Sequence, residues 1–394
     1  MKKHLNKLKS SFIAALLITT PFSSALAGYA TIDGQVYPTI AAGNEFDDSG
    51  APLVPAGDFT GVVSIQIETE EGFFICTGSA ISKRHIITAA HCVEDATGTG
   101  KEIDLSQDNV SILSIFTDGG VLNEVLGSNK VNIHPDYEGF GNCGAGDVGG
   151  FFGPTSCLND DIAIITLSED IPDGVEIYEF FGGEITADNM FTMVGHGTTG
   201  NGYDGFTPGS SSYFDKRFGF NIPEFFDCDD ATSVGASGGY SDPDACSILY
   251  GNEVEVWYAD FDGYDAFLDL IDGAGNGYID YFCDTFGIGC GNGMTDDLAA
   301  AMFEAAIGGG DSGGPSFIYD SVTGKHLLAA NNTFGTQGSG PFGIPGAFGE
   351  IFGGNLYAPY IAWIDTFVPA PTGLGLILVS LGAFGLRRRC SNAA

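Results

Sequence analysis

Residues 62–67 (VVSIQI), 73–76 (FFIC) and 86–89 (IITA) place apolar side chains at alternate positions or in short unbroken runs. A period of two suits a strand with one face in a core, and a short apolar run bounded by turn residues suits a fully buried one. The texture returns at 111–116 (SILSIF), 162–165 (IAII), 191–194 (FTMV) and 326–330 (HLLAA). Glycine accounts for 60 of 394 residues and Phe for 31, while Lys and Arg together number 14. Turn and strand formers therefore outweigh the long charged side chains that favour helix. One segment, 356–367 (LYAPYIAWIDTF), is predicted as a closing helix. Short strands joined by Gly-rich turns predict an all-β barrel or sandwich.

Charge narrows the partners. Asp and Glu number 51, for a formal net charge of −37. Away from the two ends the basic residues are Lys83, Arg84, Lys101, Lys130, Lys216, Arg217 and Lys325. Too few cations remain to neutralise phosphates, which excludes nucleic acid. The acidity favours solubility, cation binding or a salty medium. Residues 218–300 contain no Lys or Arg but four cysteines, and they are predicted as a disulfide-stapled insertion, taken as about 201–300. There Asp260, Asp262, Asp265, Asp269 and Asp272 offer hard oxygen ligands of the kind calcium takes. Their spacing is not that of an EF-hand loop, and a solvated acidic surface is the other reading. No other cofactor is expected.

Residues 1–27 combine a basic start (MKKHLNKLKS), a short apolar core (SFIAALLI) and Ala25-Leu26-Ala27 before Gly28. That order predicts a secretory signal peptide. Eight cysteines follow it within the exported part: Cys76, Cys92, Cys143, Cys157, Cys228, Cys246, Cys283 and Cys290. An even number in an exported chain predicts four disulfides, and pairing of neighbours (76–92, 143–157, 228–246, 283–290) is the simplest pattern. No CxxC or HxxxH spacing supports zinc. The chain divides into 1–27, a lead segment 28–59, a main domain 60–367 and a tail 368–394.

The stretch 308–317, GGGDSGGPSF, sets Ser312 among five glycines. Glycine adopts backbone conformations closed to other residues, so such a turn can present a hydroxyl beside bare N–H groups. A serine hydroxyl needs a positioned base, and histidine is the usual one near neutral pH. The exported part offers His85, His91, His134, His196 and His326. His91 stands out in CTGSAISKRHIITAAHC (76–92), which resembles the histidine block of the trypsin/chymotrypsin-like serine proteases. GDSGGP resembles that family's serine block. NDDIAIITL (159–167) is similar to its NDIALLKL, with Asp161 rather than Asp160 at the acid position. Residues 133–137 (IHPDY) and 193–199 (MVGHGTT) add fainter matches. The order His, Asp, Ser is the chymotrypsin order.

The resemblance covers roughly 60–200 and 300–367. It implies a chymotrypsin-like double six-stranded β-barrel with the acidic insertion and a C-terminal helix. It implies a Cys76–Cys92 disulfide, a catalytic triad of His91, Asp161 and Ser312, and an oxyanion hole from the N–H groups of Gly310 and Ser312. Ala306 falls at the base of the S1 pocket, with Thr333-Phe334-Gly335 and Gly346 as further lining positions. An Ala at the base implies a small or apolar residue before the cut bond.

The chain departs from the family in three places. Gly308 replaces one half of the disulfide that usually braces the serine, and His196 replaces a usual tryptophan. No Lys or Arg stands between Gly28 and Ser82, so a trypsin-like activating cut there is impossible. Asp311, which in relatives pairs with a freed N-terminal amine, takes either a terminus made by another peptidase or a different partner.

Val368-Pro369-Ala370-Pro371, the uncharged run 372–386 and Arg387-Arg388-Arg389 resemble the PEP-CTERM tails processed by exosortase in Gram-negative bacteria. A permanent membrane anchor would place the ends alike, with the arginines and Cys390 inside. The sequence thus predicts an exported or surface-sorted serine endopeptidase acting on proteins or peptides. The alternative is a catalytically weak homologue serving as an acidic, calcium-binding adhesion module.

Overall fold

The computed structural model describes residues 29–32, 35–38, 54–142, 158–186, 189–202, 204–228, 254–264, 278–286, 305–336 and 343–368. The expectations for 1–27, for Cys143, Cys157, Cys246 and Cys290, for Asp265, Asp269 and Asp272, and for the tail from 369 lie outside these residues.

Six strands close into a barrel: β1 (Val62–Thr69), β2 (Gly72–Ala80), β3 (His85–Thr88), β4 (Ser111–Asp118), β5 (Val121–Ile133) and β6 (Ala163–Leu167). Their order is β1-β2-β3-β6-β5-β4, with every neighbouring pair antiparallel. The alternation that predicts β1 is the reason it lies here. Val63, Ile65 and Ile67 point inward with Ile86, Ile112, Phe116, Val131 and Ile165, forming one core. β5 escapes the hydrophobic pattern because its first five residues are exposed.

Among the described residues the main strands of the second half are β7 (Phe191–Gly195), β8 (Arg217–Asn221), β9 (Phe225–Cys228), β10 (Val254–Asp260), β11 (Pro315–Asp320), β12 (Lys325–Asn331), β13 (Phe334–Gly335) and β14 (Ile351–Asn355), beside two short hairpins. They form two four-stranded sheets, β8-β7-β11-β12 and β9-β10-β14-β13, joined by an antiparallel bridge between Ala330 and Leu356. Among the described residues these sheets enclose a core containing Phe191, Met193, Phe226, Trp257, Ile318 and Phe352. β8, β9 and β10 all come from 201–300. That stretch feeds the core instead of standing apart, because Val256, Trp257, Tyr258 and Ala259 are completely buried.

A third apolar cluster welds the halves. Val62, Ile87 and Ile164 meet Val194, Phe317 and Leu328, and Tyr357, Tyr360 and Ile364 cover them. The closing segment is shorter than the helix expected over 356–367. It consists of a 3₁₀ turn, Ala358–Tyr360, and one α-helical turn, Ile361–Ile364. Leu356 is drawn into the bridge to Ala330, and Pro359 lies in the 3₁₀ turn. Mostly β structure with a closed six-stranded barrel is consistent with the chymotrypsin-like fold. Among the described residues no helix is long and apolar enough to cross a membrane.

Candidate active site

His91 lies in the 3₁₀ turn Ala90–Cys92, directly after β3. Its position is fixed from both sides, since Cys92 is disulfide-bonded to Cys76 of β2. Asp161 approaches from the loop before β6 and is almost fully buried. The His91 backbone N–H donates to Asp161 Oδ1 at 2.8 Å, and the ring Nδ1 meets Oδ2 at 2.6 Å. Burial alone would lower the His91 pKa. The Asp161 charge and hydrogen bond outweigh it, so the imidazole is held above its ordinary value. With Nδ1 committed to Asp161, Nε2 is the ring nitrogen left for a second partner.

Asp160, the neighbouring acid, plays another part. Its backbone takes a positive φ of 60°, and its carboxylate turns away to His134 Nδ1 at 3.0 Å. Tyr360 Oη accepts the Asp160 N–H at 3.0 Å, tying this corner to the closing segment. From the second half, Asn331 Nδ2 donates to the Asp161 carbonyl at 2.9 Å.

Ser312 occupies the turn that leads into β11, and glycines shape that turn. Gly310 has φ 106° and Gly313 has φ 77°. A Cβ on Gly313 would overlap Thr88 Oγ1 and press on the Ala89 N and Thr77 O, so only glycine fits. The first barrel grips the turn through Thr77. Its N–H donates to the Ser312 carbonyl and its Oγ1 to the Gly310 carbonyl, each at 2.8 Å. The second half grips it through the Gly313 N–H to Asn332 O at 2.7 Å and the Thr198 N–H to Gly309 O at 2.9 Å. The N–H groups of Gly310 and Ser312 donate to no protein acceptor among the described residues. His91 and Ser312 line one cleft of about 420 Å³.

Asp311 points the other way, into the protein, and is 1 % exposed. Its carboxylate accepts the Gly197 and Gly308 N–H groups, both at 2.8 Å. A Cβ on Gly195 would overlap Asp311 Oδ1, so the carboxylate fills space left by that glycine. Burial pushes its pKa up to about 6, against the two N–H bonds and the Arg217 charge.

The proposed S1 positions fall elsewhere. Ala306 is buried in the second core, and Thr333 and Phe334 are buried at 4 % and 6 % exposure. Gly346 packs against the Phe206 ring, and Gly335 is exposed. None of the five borders the cleft shared by His91 and Ser312. Cys228 and Cys283 are disulfide-bonded. Asp260 and Asp262 correct the reading of a solvated acidic surface, since both are buried. With Glu224 they bring one oxygen each within 4.8 Å of the others. Sequence reasoning missed Thr77, Thr88 and Asn331, whose roles depend on contacts between distant strands. It also missed Phe140, whose ring lies 4.9 Å from that of His91.

Residues 54–211 match the trypsin family model. The match takes in the first barrel, His91 and Asp161 and ends before Ser312, so the serine block rests on its own motif and geometry. Among solved structures the chain is similar to an HL collagenase at 17 % identity, covering 81 % of this chain and 97 % of that one, with a TM-score of 0.43. No curated protein matches.

Proposed function

We propose that this chain is a serine endopeptidase that cleaves peptide bonds through His91, Asp161 and Ser312. The observation that carries the reading is a histidine locked onto a buried aspartate at 2.6 Å while sharing one cleft with a glycine-cradled serine. In this reading the Ser312 Oγ attacks the substrate carbonyl carbon and its proton passes to His91 Nε2. Negative charge gathers on the carbonyl oxygen, where the Gly310 and Ser312 N–H groups receive it; one such donor is worth about 10²–10³ in kcat. The C–N bond then breaks, and His91 returns the proton to the leaving amine. Water repeats the sequence on the acyl-enzyme, releasing the acid and restoring the hydroxyl. Asp161 keeps the imidazole in the required tautomer and stabilises its protonated form.

The family resemblance, which puts an alanine (Ala306) where the base of the S1 pocket would be, is what supports a small or apolar residue before the cut bond. The basic and apolar leader and the Pro-marked, Arg-ended tail support export to the outer surface of a Gram-negative cell, with an exosortase-type enzyme acting on the tail. A fluorophosphonate probe tests the enzymatic reading. Labelling is expected on Ser312 in the wild type and absent in Ser312→Ala. An unlabelled but folded wild type would favour a binding module instead.

A further inference from the structure

The cleft that holds His91 and Ser312 is built entirely from the first barrel apart from the serine itself. Its walls are Ile67 and Thr69 of β1, Phe74 to Cys76 of β2, and the loop from His91 to Gly98. Glu71, Glu94 and Asp95 line it, and no Lys or Arg does. A second pocket of about 290 Å³ continues it, sharing Thr69, Glu71, Asp95 and Ala96 and adding Glu70, Glu102 and Asp104. The reactive serine therefore opens onto a channel bordered by six carboxyl groups. Hydrogen bonds from Thr97 to Asp95 and from Ser106 to Asp104 favour the ionised forms of both, whereas burial pushes the Glu94 carboxyl up and its Oε2 already accepts the Gly100 N–H. The Lys101 charge acts on Asp95 and offsets part of this field.

Position along the substrate follows from the other side of Ser312. Ala306, Thr333 and Phe334 belong to the second half and do not border this channel. Apart from Ser312 the channel lies wholly on the first-barrel side; with the residue before the cut bond on the second-half side, as the family resemblance implies, the channel receives the residues after it. We infer that the channel bordered by Glu71 and Asp95 selects peptides carrying Lys or Arg in the first few positions after the scissile bond. This rests on the serine endopeptidase reading and adds the substrate class to it. Phe74, 49 % exposed, gives the long methylene stems of such residues an apolar surface beside the carboxylates. Exposed charge pairs are weak singly, each changing an equilibrium roughly two- to fivefold, so two engaged carboxylates give about tenfold.

The test uses internally quenched peptides with an equimolar Ala, Val, Leu and Phe mixture before the cut. They differ only in having Arg-Lys or Glu-Glu at the second and third positions after it. The expected kcat/KM ratio is roughly tenfold or more in favour of Arg-Lys at low salt, shrinking toward unity at 1 M NaCl. Glu71→Gln/Asp95→Asn should collapse the ratio, and a remote pair, Glu124→Gln/Asp365→Asn, should leave it unchanged. Because each ratio compares two substrates on one preparation, partial loss of active protein cancels. If the cleft variant does not fold, the wild-type salt titration decides. A ratio near one at low salt, or one that the remote pair lowers equally, overturns the inference while hydrolysis itself persists. Absence of both hydrolysis and Ser312 labelling instead removes the endopeptidase reading, and this inference with it.

Discussion

The two loops that meet in the cleft are held by opposite means. The histidine turn is cross-linked: a disulfide anchors Cys92 to β2, and one buried carboxylate takes both the backbone and the ring of His91. The serine turn has Gly308 where a cross-link would stand in relatives. It relies on glycine conformations and on backbone hydrogen bonds supplied by Thr77, Thr198 and Asn332. Underneath it lies Asp311, a buried acid whose carboxylate is met by N–H groups. The histidine is thus positioned by strong, few constraints and the serine by many weak ones. Damage to the first should stop chemistry while sparing the fold, and damage to the second should cost both.

The largest expected effect tests the histidine side. Asp161→Asn keeps the shape but reverses the hydrogen-bonding need at Nδ1, and kcat should fall about 10⁴-fold with the thermal midpoint changed by only a few degrees. Steady-state kinetics beside calorimetry check this, and a loss of folding as large as the loss of rate would erase the contrast.

Next comes the serine side. Gly313→Ala should cost roughly 2–4 kcal/mol, from positive-φ strain and overlap with Thr88, and should lower activity as well. Gly98 has φ 61° with open space around its missing Cβ, so Gly98→Ala isolates the strain, about 1 kcal/mol. Denaturant unfolding of the pair measures the difference. Equal losses would mean that the close approach to β3 does not matter.

A smaller, pH-dependent effect comes from Asp311. Its pKa is raised from 3.8 to about 6, so the folded state binds this proton more tightly than the unfolded state. Its stabilising contribution is full below 3.8 and is lost as the pH rises through about 6, a decline of about 3 kcal/mol. Asp311→Asn should flatten that decline between pH 4 and 6, even though its amide fits the two N–H donors poorly and lowers stability overall. Unfolding free energies at four pH values decide it, and an unchanged slope would show that another group titrates.

Much of this contrast was visible in the residues before any geometry. The alternation in VVSIQI and the run IITA mark barrel strands because both bury one kind of side chain on one face. The TAAHC, NDDIA and GDSGGP blocks carry their local surroundings with them, so His91, Asp161 and Ser312 could be singled out individually. β5 was illegible because its exposed start has no apolar period. β10 was hidden because Glu255 and Asp260 flank its buried Val256 to Ala259, and acidity dominated the reading. The grip of Thr77 on residues more than two hundred positions away, like the joining of Glu71 and Asp95 beside Ser312, exists only once strands pair.

The most direct measurement is the rate of Ser312 labelling by a fluorophosphonate as a function of pH. The Asp161 carboxylate holds the His91 pKa above 6.5, and only the neutral imidazole can take the serine proton. The labelling rate should therefore rise through one ionisation with its midpoint above 6.5 and should vanish in His91→Ala. Labelling that is independent of pH, or that survives in His91→Ala, would contradict the pairing of these residues.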